Sequence, residues 1–193
     1  MGLAPETVDE RELVARALRQ DTEAFGMLVS QHATMVVNLA VRMVGDKADA
    51  EDLAQETFVS AFKALSSFRA DARFSTWLYR IATNKCKDWL RARRPTVAIA
   101  EELDDEEGPG HQLVEPTTPE TELSQQQIGL HLDEAIQALP VIYREAFVLK
   151  HVEGLSYDKM SEVLGANADT LKMRVYKART KLCQVLHHLQ DQV

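Results

Sequence analysis

The sequence predicts an all-α fold of two small helical domains joined by a flexible acidic linker. Three observations predict it. Apolar residues recur at three- and four-residue spacing through nearly the whole chain, which is helical periodicity. No alternating strand pattern of useful length interrupts them. Glycine, proline and short acidic or hydroxyl side chains fall where helices need ends.

The elements follow in order. Asp9 with Glu12 three residues on has the form of a capping box and opens a first helix. Asp21 or Thr22 caps a second, in which Phe25, Leu28, Val29, Met35, Val36, Leu39 and Met43 share a face until Gly45 stops it. A third runs from about residue 48 to 66, with Ala54, Phe58, Ala61, Phe62 and Leu65 on one side. A polar loop, 69–73, leads into a fourth from about 75 to 94, ended by Pro95. Residues 96–122 then change character: the run EELDDEE, with GPG and TTPET, predicts a linker with little to bury. Periodicity returns near Leu123 and continues through Leu130, Ile136 and Leu139. Pro140 suits the first turn of the next helix, which carries Ala146, Phe147, Leu149 and Val152 and is broken by Gly154. The expected organisation is a domain over 1–95, a linker over 96–122 and a second domain over 123–193.

Residues 155–182 hold the most specific local pattern. Ser156 caps a short helix whose Met160, Val163 and Leu164 face inward, and Gly165 supplies a left-handed turn. Asn167 caps a second helix with a seam of Leu171, Val175, Ala178 and Leu182. Two short helices around a glycine turn fit a helix-turn-helix, whose second helix enters a major groove. That helix offers Lys172, Arg174, Lys177, Arg179 and Lys181 against the single acid Asp169. An αα-hairpin with a solvated basic face is the plainer alternative.

The formal charge is −8, from 22 basic and 30 acidic side chains in 193 residues, and it argues at first against nucleic acid. Its distribution argues otherwise. Residues 1–56 carry −6, 57–95 carry +7, 96–127 carry −9, and 128–193 are neutral. Such blocks bear on partners rather than fold. In the +7 block, Phe68, Phe74, Trp77, Tyr79 and Trp89 alternate with arginine and lysine, the composition of a surface that stacks bases and tracks a phosphate backbone; the same aromatics at helical spacing also suit a core. Asp49, Asp52 and Glu56 lie at i, i+3 and i+7 on the third helix, either as acids favoured near a helix N-terminus or as a stripe that docks on a basic partner.

No stretch approaches the ~18–20 uninterrupted apolar residues of a membrane span. The first twenty residues carry early acids and no apolar segment, so no secretory signal and no membrane insertion are expected. Two cysteines, Cys86 and Cys183, fit a reducing, cytoplasmic setting without disulfides. Cys183, His187 and His188 lie close on the last helix, but they are fewer ligands than a closed zinc site needs, so no metal and no cofactor are expected. No paired catalytic constellation or phosphate loop points to an enzyme.

Together these residues resemble a known family. DAEDLAQETFVSAFKALSSFRADARFSTWLYRIATNKCKDWLRARR (49–94) resembles region 2 of bacterial sigma-70-family RNA polymerase sigma factors, a four-helix unit. LPVIYREAFVLKHVEGLSYDKMSEVLGANADTLKMRVYKARTKL (139–182) resembles their region 4, a helix-turn-helix unit. With only these two regions and a short linker, the chain is similar to the extracytoplasmic-function (ECF) group. The resemblance implies an alternative sigma factor that binds core RNA polymerase, through its β′ and β subunits, and directs promoter-specific initiation without catalysis of its own. It implies polymerase contacts at Asp49, Asp52, Leu53, Gln55, Glu56 and Phe58. For recognition and melting of the −10 element it implies Phe68, Arg69, Phe74, Ser75, Trp77, Arg80, Asn84, Lys87 and Asp88, with the 66–74 loop capturing a flipped base. For the −35 element it implies Thr170, Lys172, Met173, Arg174, Tyr176, Lys177 and Arg179. It further implies an anti-sigma factor partner and a linker that threads toward the polymerase active-site channel. Met173 departs from the small polar residue common in the family and cannot donate a hydrogen bond to a base. Two other readings use the same residues less fully. A decoy that titrates an anti-sigma factor typically sits beside a receiver domain, and a helix-turn-helix repressor leaves 49–94 unexplained.

Overall fold

The computed structural model describes residues 9–69, 73–93 and 125–190, with backbone alone for 125–131 and 186–190. The described residues are helical throughout and contain no strand. Asp9 accepts the Arg11 N–H and opens α1, Glu10–Leu18, which buries Leu13, Val14 and Ala17. Asp21 opens α2, Thr22–Val44, by accepting the Ala24 N–H at 3.0 Å. That bond, with the Arg16 guanidinium at 2.8 Å, holds the Asp21 carboxyl below its usual range. By length and composition α2 is apolar enough to cross a membrane. Its Leu28, Val36, Leu39 and Met43 are instead wholly buried, and it packs on α1, on α3 (Lys47–Ala64) and on α4 (Phe74–Arg93) as the central helix of the first half.

Gly45 ends α2 at φ +87°, a conformation costly for any side chain. Asp46 caps α3 through the Asp49 N–H, one residue earlier than the spacing of the apolar positions suggests. After α3 a single 3₁₀ turn, Leu65–Ser67, redirects the chain. The end of the fourth helix at Pro95 and the linker 96–122 lie outside the described residues.

The second half comprises α5 (Gln125–Ala138), α6 (Val141–Phe147), α7 (Tyr157–Leu164) and α8 (Ala168–Gln190). Pro140 precedes α6 as its cap residue instead of standing in its first turn. α6 runs into a π turn, Val148–Val152, where the Glu153 N–H reaches back five residues to the Val148 carbonyl. Ser156 caps α7, and Gly165 at φ +69° ends it.

The two halves pack together. α7 lies against α4, and α5 and α6 lie against the C-terminal end of α2. Gln137 of α5 donates to the Arg42 carbonyl at 2.7 Å. Arg144 of α6, 5% exposed, donates to the Met43 carbonyl and also to Gln137 and the Leu139 carbonyl. The Arg42 guanidinium pairs with Asp133.

Cys86 is buried in α4, and burial pushes its thiol up to about 12, which makes it unreactive. Cys183 is partly exposed, and both cysteines are free. The His187 and His188 side chains lie outside the described residues, and no group of three metal-ligating side chains occurs among those described.

The left-handed glycines that end α2 and α7 differ in surroundings. A Cβ on Gly165 meets nothing within 4 Å, whereas one on Gly45 falls 3.0 Å from the Gln137 side chain. Gly165→Ala should cost about 1–2 kcal/mol, the strain of a left-handed alanine. Gly45→Ala should cost more, since it also pushes on the bridge between the halves. Urea denaturation midpoints compare the two, and equal losses would mean that Gln137 yields freely.

Candidate nucleic-acid interface

On α3 the residues 49, 52 and 56 lie opposite those that the helix buries, Ala50, Leu53, Ala54, Thr57 and Ala61. Asp52, Gln55 and Glu56 are exposed. Asp49 receives both terminal nitrogens of Arg93 at 3.2 Å, and Glu56 pairs with Lys85 at 3.2 Å, so cations of α4 partly answer the acidic stripe. Leu53 is buried and Phe58 half-buried against the core, so both lie beneath the stripe and not on its surface. Phe62 is the converse correction: spacing puts it on the buried face, yet it is 45% exposed, its edge against Phe25 at 5.0 Å. With Val59, also exposed, it extends the stripe as an apolar surface. The three-residue step from Val59 to Phe62 in the sequence could have signalled this.

Between α4 and α7 lies a cleft of about 570 Å3. Arg69, Arg73 and Arg80 line one side of it, and Lys159 and Glu162 of α7 the other. Phe68 and Trp77 form its base. These two rings and Phe74 lie within 5.2–5.7 Å of one another and are all buried. As packed here they are core, the second of the two readings that their spacing allows. The helical spacing that makes aromatics interleave with cations also turns them inward. Ser75 is half-buried, whereas Arg80, Asn84 and Asp88 are exposed along α4.

On α8, the Asn167 side chain accepts the Thr170 N–H at 2.7 Å, fixing the start of the helix. Leu171, Val175, Ala178 and Leu182 are buried as the spacing predicts. Lys172, Met173 and Arg179 are exposed, and Thr170, Tyr176 and Lys177 are half-exposed. Lys172 is bonded to Asp169 at 2.9 Å. Arg174 departs from the expected exposed face. It turns inward, its terminal nitrogen 3.8 Å from a Glu145 oxygen.

Glu145 of α6 is the charged centre of the molecule and is absent from the sequence-derived set. Its second oxygen lies 3.3 Å from the Lys87 ammonium of α4, an ion pair that lacks hydrogen-bond alignment. Burial raises the Glu145 carboxyl above its ordinary range, while Lys87, Arg174 and Arg91 pull it back. Nearby, the Tyr79 hydroxyl donates to Glu153 at 2.5 Å, and burial with that carboxylate raises the phenol. The signal in the sequence was a charged pair, Arg144–Glu145, set among Tyr143, Ala146 and Phe147.

Known proteins resemble this chain along most of its length. The profile of sigma-70 region 2 matches residues 28–96, and that of sigma-70 region 4 matches residues 130–182. RNA polymerase sigma-H factor of Pseudomonas aeruginosa is 38% identical over 184 residues, covering 93% of this chain and 95% of that protein. ECF RNA polymerase sigma-E factor of Escherichia coli K12 is 34% identical over 177 residues, covering 90% and 92%. Among solved structures, CnrH in complex with the cytosolic domain of CnrY aligns with a TM-score of 0.67 at 28% identity, covering 93% of this chain and 99% of that one. The sigma factor RpoE of Bartonella quintana, solved with the anti-sigma factor NepR, shares the fold with a TM-score of 0.62 at 24% identity, covering 84% and 96%.

The Glu145 environment sets a pH dependence. A carboxyl raised by folding contributes its full stability below its unfolded pKa and loses it as pH rises through the raised value. The stability of the wild type should therefore fall relative to Glu145→Gln as pH rises above the ordinary glutamate range. Denaturant titrations of both proteins across this range measure it. A difference that stays flat would mean that Lys87 and Arg174 fully offset the burial.

Proposed function

Because the chain belongs to the sigma-70 family, in its ECF group, and serves promoter-specific transcription initiation as an alternative sigma factor, we propose how its surfaces divide that work. The first domain, 1–95, docks on core polymerase through the α3 stripe of exposed Asp52, Gln55 and Glu56 with half-buried Asp49 beside them. A run of carboxylates on one helix face suits a basic partner surface, and opposite charge speeds and orients such encounters. The same domain meets the −10 element along Arg69, Arg73, Arg80 and Asn84, around the cleft at the start of α4. Capture of an unstacked base there offsets the few kcal/mol of unpairing and so favours melted DNA.

The second domain, 123–193, presents α8 to the −35 duplex. Lys172, Lys177 and Arg179 supply phosphate or base-edge contacts, and Met173 supplies only an apolar one. The chemistry of RNA synthesis belongs to the polymerase, and this chain is its specificity subunit, acting where polymerase acts, in the cytoplasm. An anti-sigma factor is the further partner proposed; the relative CnrH is itself solved bound to a second protein.

The observation that carries this reading is the pairing of an exposed acidic helix with a basic helix-turn-helix in one chain whose net charge is −8. Run-off transcription with purified core polymerase on a random promoter library tests it, and should return both elements at once. Absence of any selected promoter would refute it. Asp52→Lys with Glu56→Lys should abolish capture by core polymerase while far-ultraviolet circular dichroism stays unchanged. Wild-type capture by the double variant would remove the docking role of α3.

A further inference from the structure

We propose that Met173 reads the C5-methyl group of a pyrimidine in the −35 element, so that this chain selects thymine at one position and takes 5-methylcytosine there in preference to cytosine. The inference rests on the reading that α8 meets the −35 duplex. Met173 is 41% exposed and is the one large apolar side chain that α8 leaves exposed among the described residues. It stands on a helix otherwise armed with Lys172, Arg174, Lys177, Arg179 and Lys181. Its exposed surface adds nothing to the core and gains only when something else covers it.

The position of Met173 on α8 is the outermost one. At helical periodicity Asp169, Met173, Tyr176 and Thr180 form the ridge opposite the buried seam of Leu171, Val175, Ala178 and Leu182. With the seam against the protein, that ridge faces the floor of a groove, and Lys172 and Lys177 flank it on the sides where the phosphates run. The polar groups of the ridge next to Met173 are already engaged. The Asp169 carboxylate accepts from Lys172 at 2.9 Å, and the Thr180 hydroxyl donates to the Tyr176 carbonyl at 3.2 Å. Asn167 fixes the first turn by accepting the Thr170 N–H, which sets Met173 in the second turn, within the N-terminal part of the helix that reaches base edges.

A thioether donates no hydrogen bond and accepts only weak ones, so Met173 discriminates by apolar contact. The apolar mark that a base pair presents in the major groove is the C5-methyl group of thymine; the other groups there are donors and acceptors. Laid over the amino group of cytosine or the O6 of guanine, the side chain displaces water from a polar edge and returns no hydrogen bond. Its unbranched, polarizable chain adapts to a methyl group instead. 5-Methylcytosine carries that methyl group on the same ring carbon as thymine and gains the contact that cytosine lacks. Methylation of cytosine in the −35 element is therefore a mark to which this chain responds.

The test uses holoenzyme assembled from core polymerase and the full-length chain, on the promoter that run-off selection returns. At one A·T pair of its −35 element, replacing thymine by deoxyuridine removes only the methyl group and should weaken binding about fourfold, the worth of one buried methyl-sized group. With a G·C pair at that site, 5-methylcytosine should bind about fourfold more tightly than cytosine. Met173→Ser should abolish both methyl effects and Met173→Leu should keep them. The slope of affinity against salt should be the same in all three proteins, because no phosphate contact changes. Capture by core polymerase and circular dichroism check that each variant is folded and assembled. Wild-type binding that ignores the methyl group at every −35 position would overturn the proposal while leaving α8 as the −35 reader, and so would a methyl effect that survives Met173→Ser. Binding that ignores the −35 sequence altogether would refute the reading of α8, and the proposal with it.

Discussion

The carbonyl end of α2 is where both halves of the molecule meet. A helix of 23 residues leaves its last carbonyls without internal partners, and a buried carbonyl must find a donor elsewhere. Here Gly45 returns its N–H to Val41, and the next carbonyls are served by Gln137 and Arg144. Arg144 can do so because a guanidinium carries five donors in a rigid plane. It directs its terminal nitrogens to the end of α2, to Gln137 and to the Leu139 carbonyl, so the α5–α6 corner is built around it. Burying such a charge is tolerable only when hydrogen bonds replace its lost water in this way. The placement of α6, and with it Glu145, follows from that bond set.

Charge is sorted by surface as well as by sequence block. The acids of α3 face outward but lean on Arg93 and Lys85, so the stripe is ordered without being neutralised, Asp52 remaining exposed. The cations of α4 divide between this stripe, the cleft and Glu145. A chain that is acidic overall thus carries ten of its 22 basic side chains on α4 and α8, and it holds Lys87 and Arg174 of them against its own carboxylate.

Much of this was legible from spacing. The caps at Asp9, Asp21, Ser156 and Asn167 and the stops at Gly45 and Gly165 are local chemistry, and the helix limits they imply agree within a residue or two with those observed. The seam of α8 is equally local, since four residues at spacings of four, three and four must share a face. What escaped depends on partners distant in sequence. The π turn after α6 leaves no signature in composition. The inward turn of Arg174 follows from Glu145, and the burial of Lys87 from a helix more than fifty residues away. Phe68, Phe74 and Trp77 were ambiguous because an aromatic among cations reads alike whether its ring faces a base or a neighbouring ring.

The contact between the halves combines apolar packing with a handful of hydrogen bonds and with ion pairs taken out of water. Removing two charges from solvent costs several kcal/mol per ion, and their attraction offsets it only with good geometry and further hydrogen bonds. Glu145 has neither in full: its Lys87 pair is misaligned, and burial outweighs both cations in setting its proton affinity. A permanent interface would gain by replacing this cluster with apolar side chains of similar volume. A dissociable one gains by keeping it, because water restores each ion's solvation as the halves part and phosphate can take the place of the lost carboxylate.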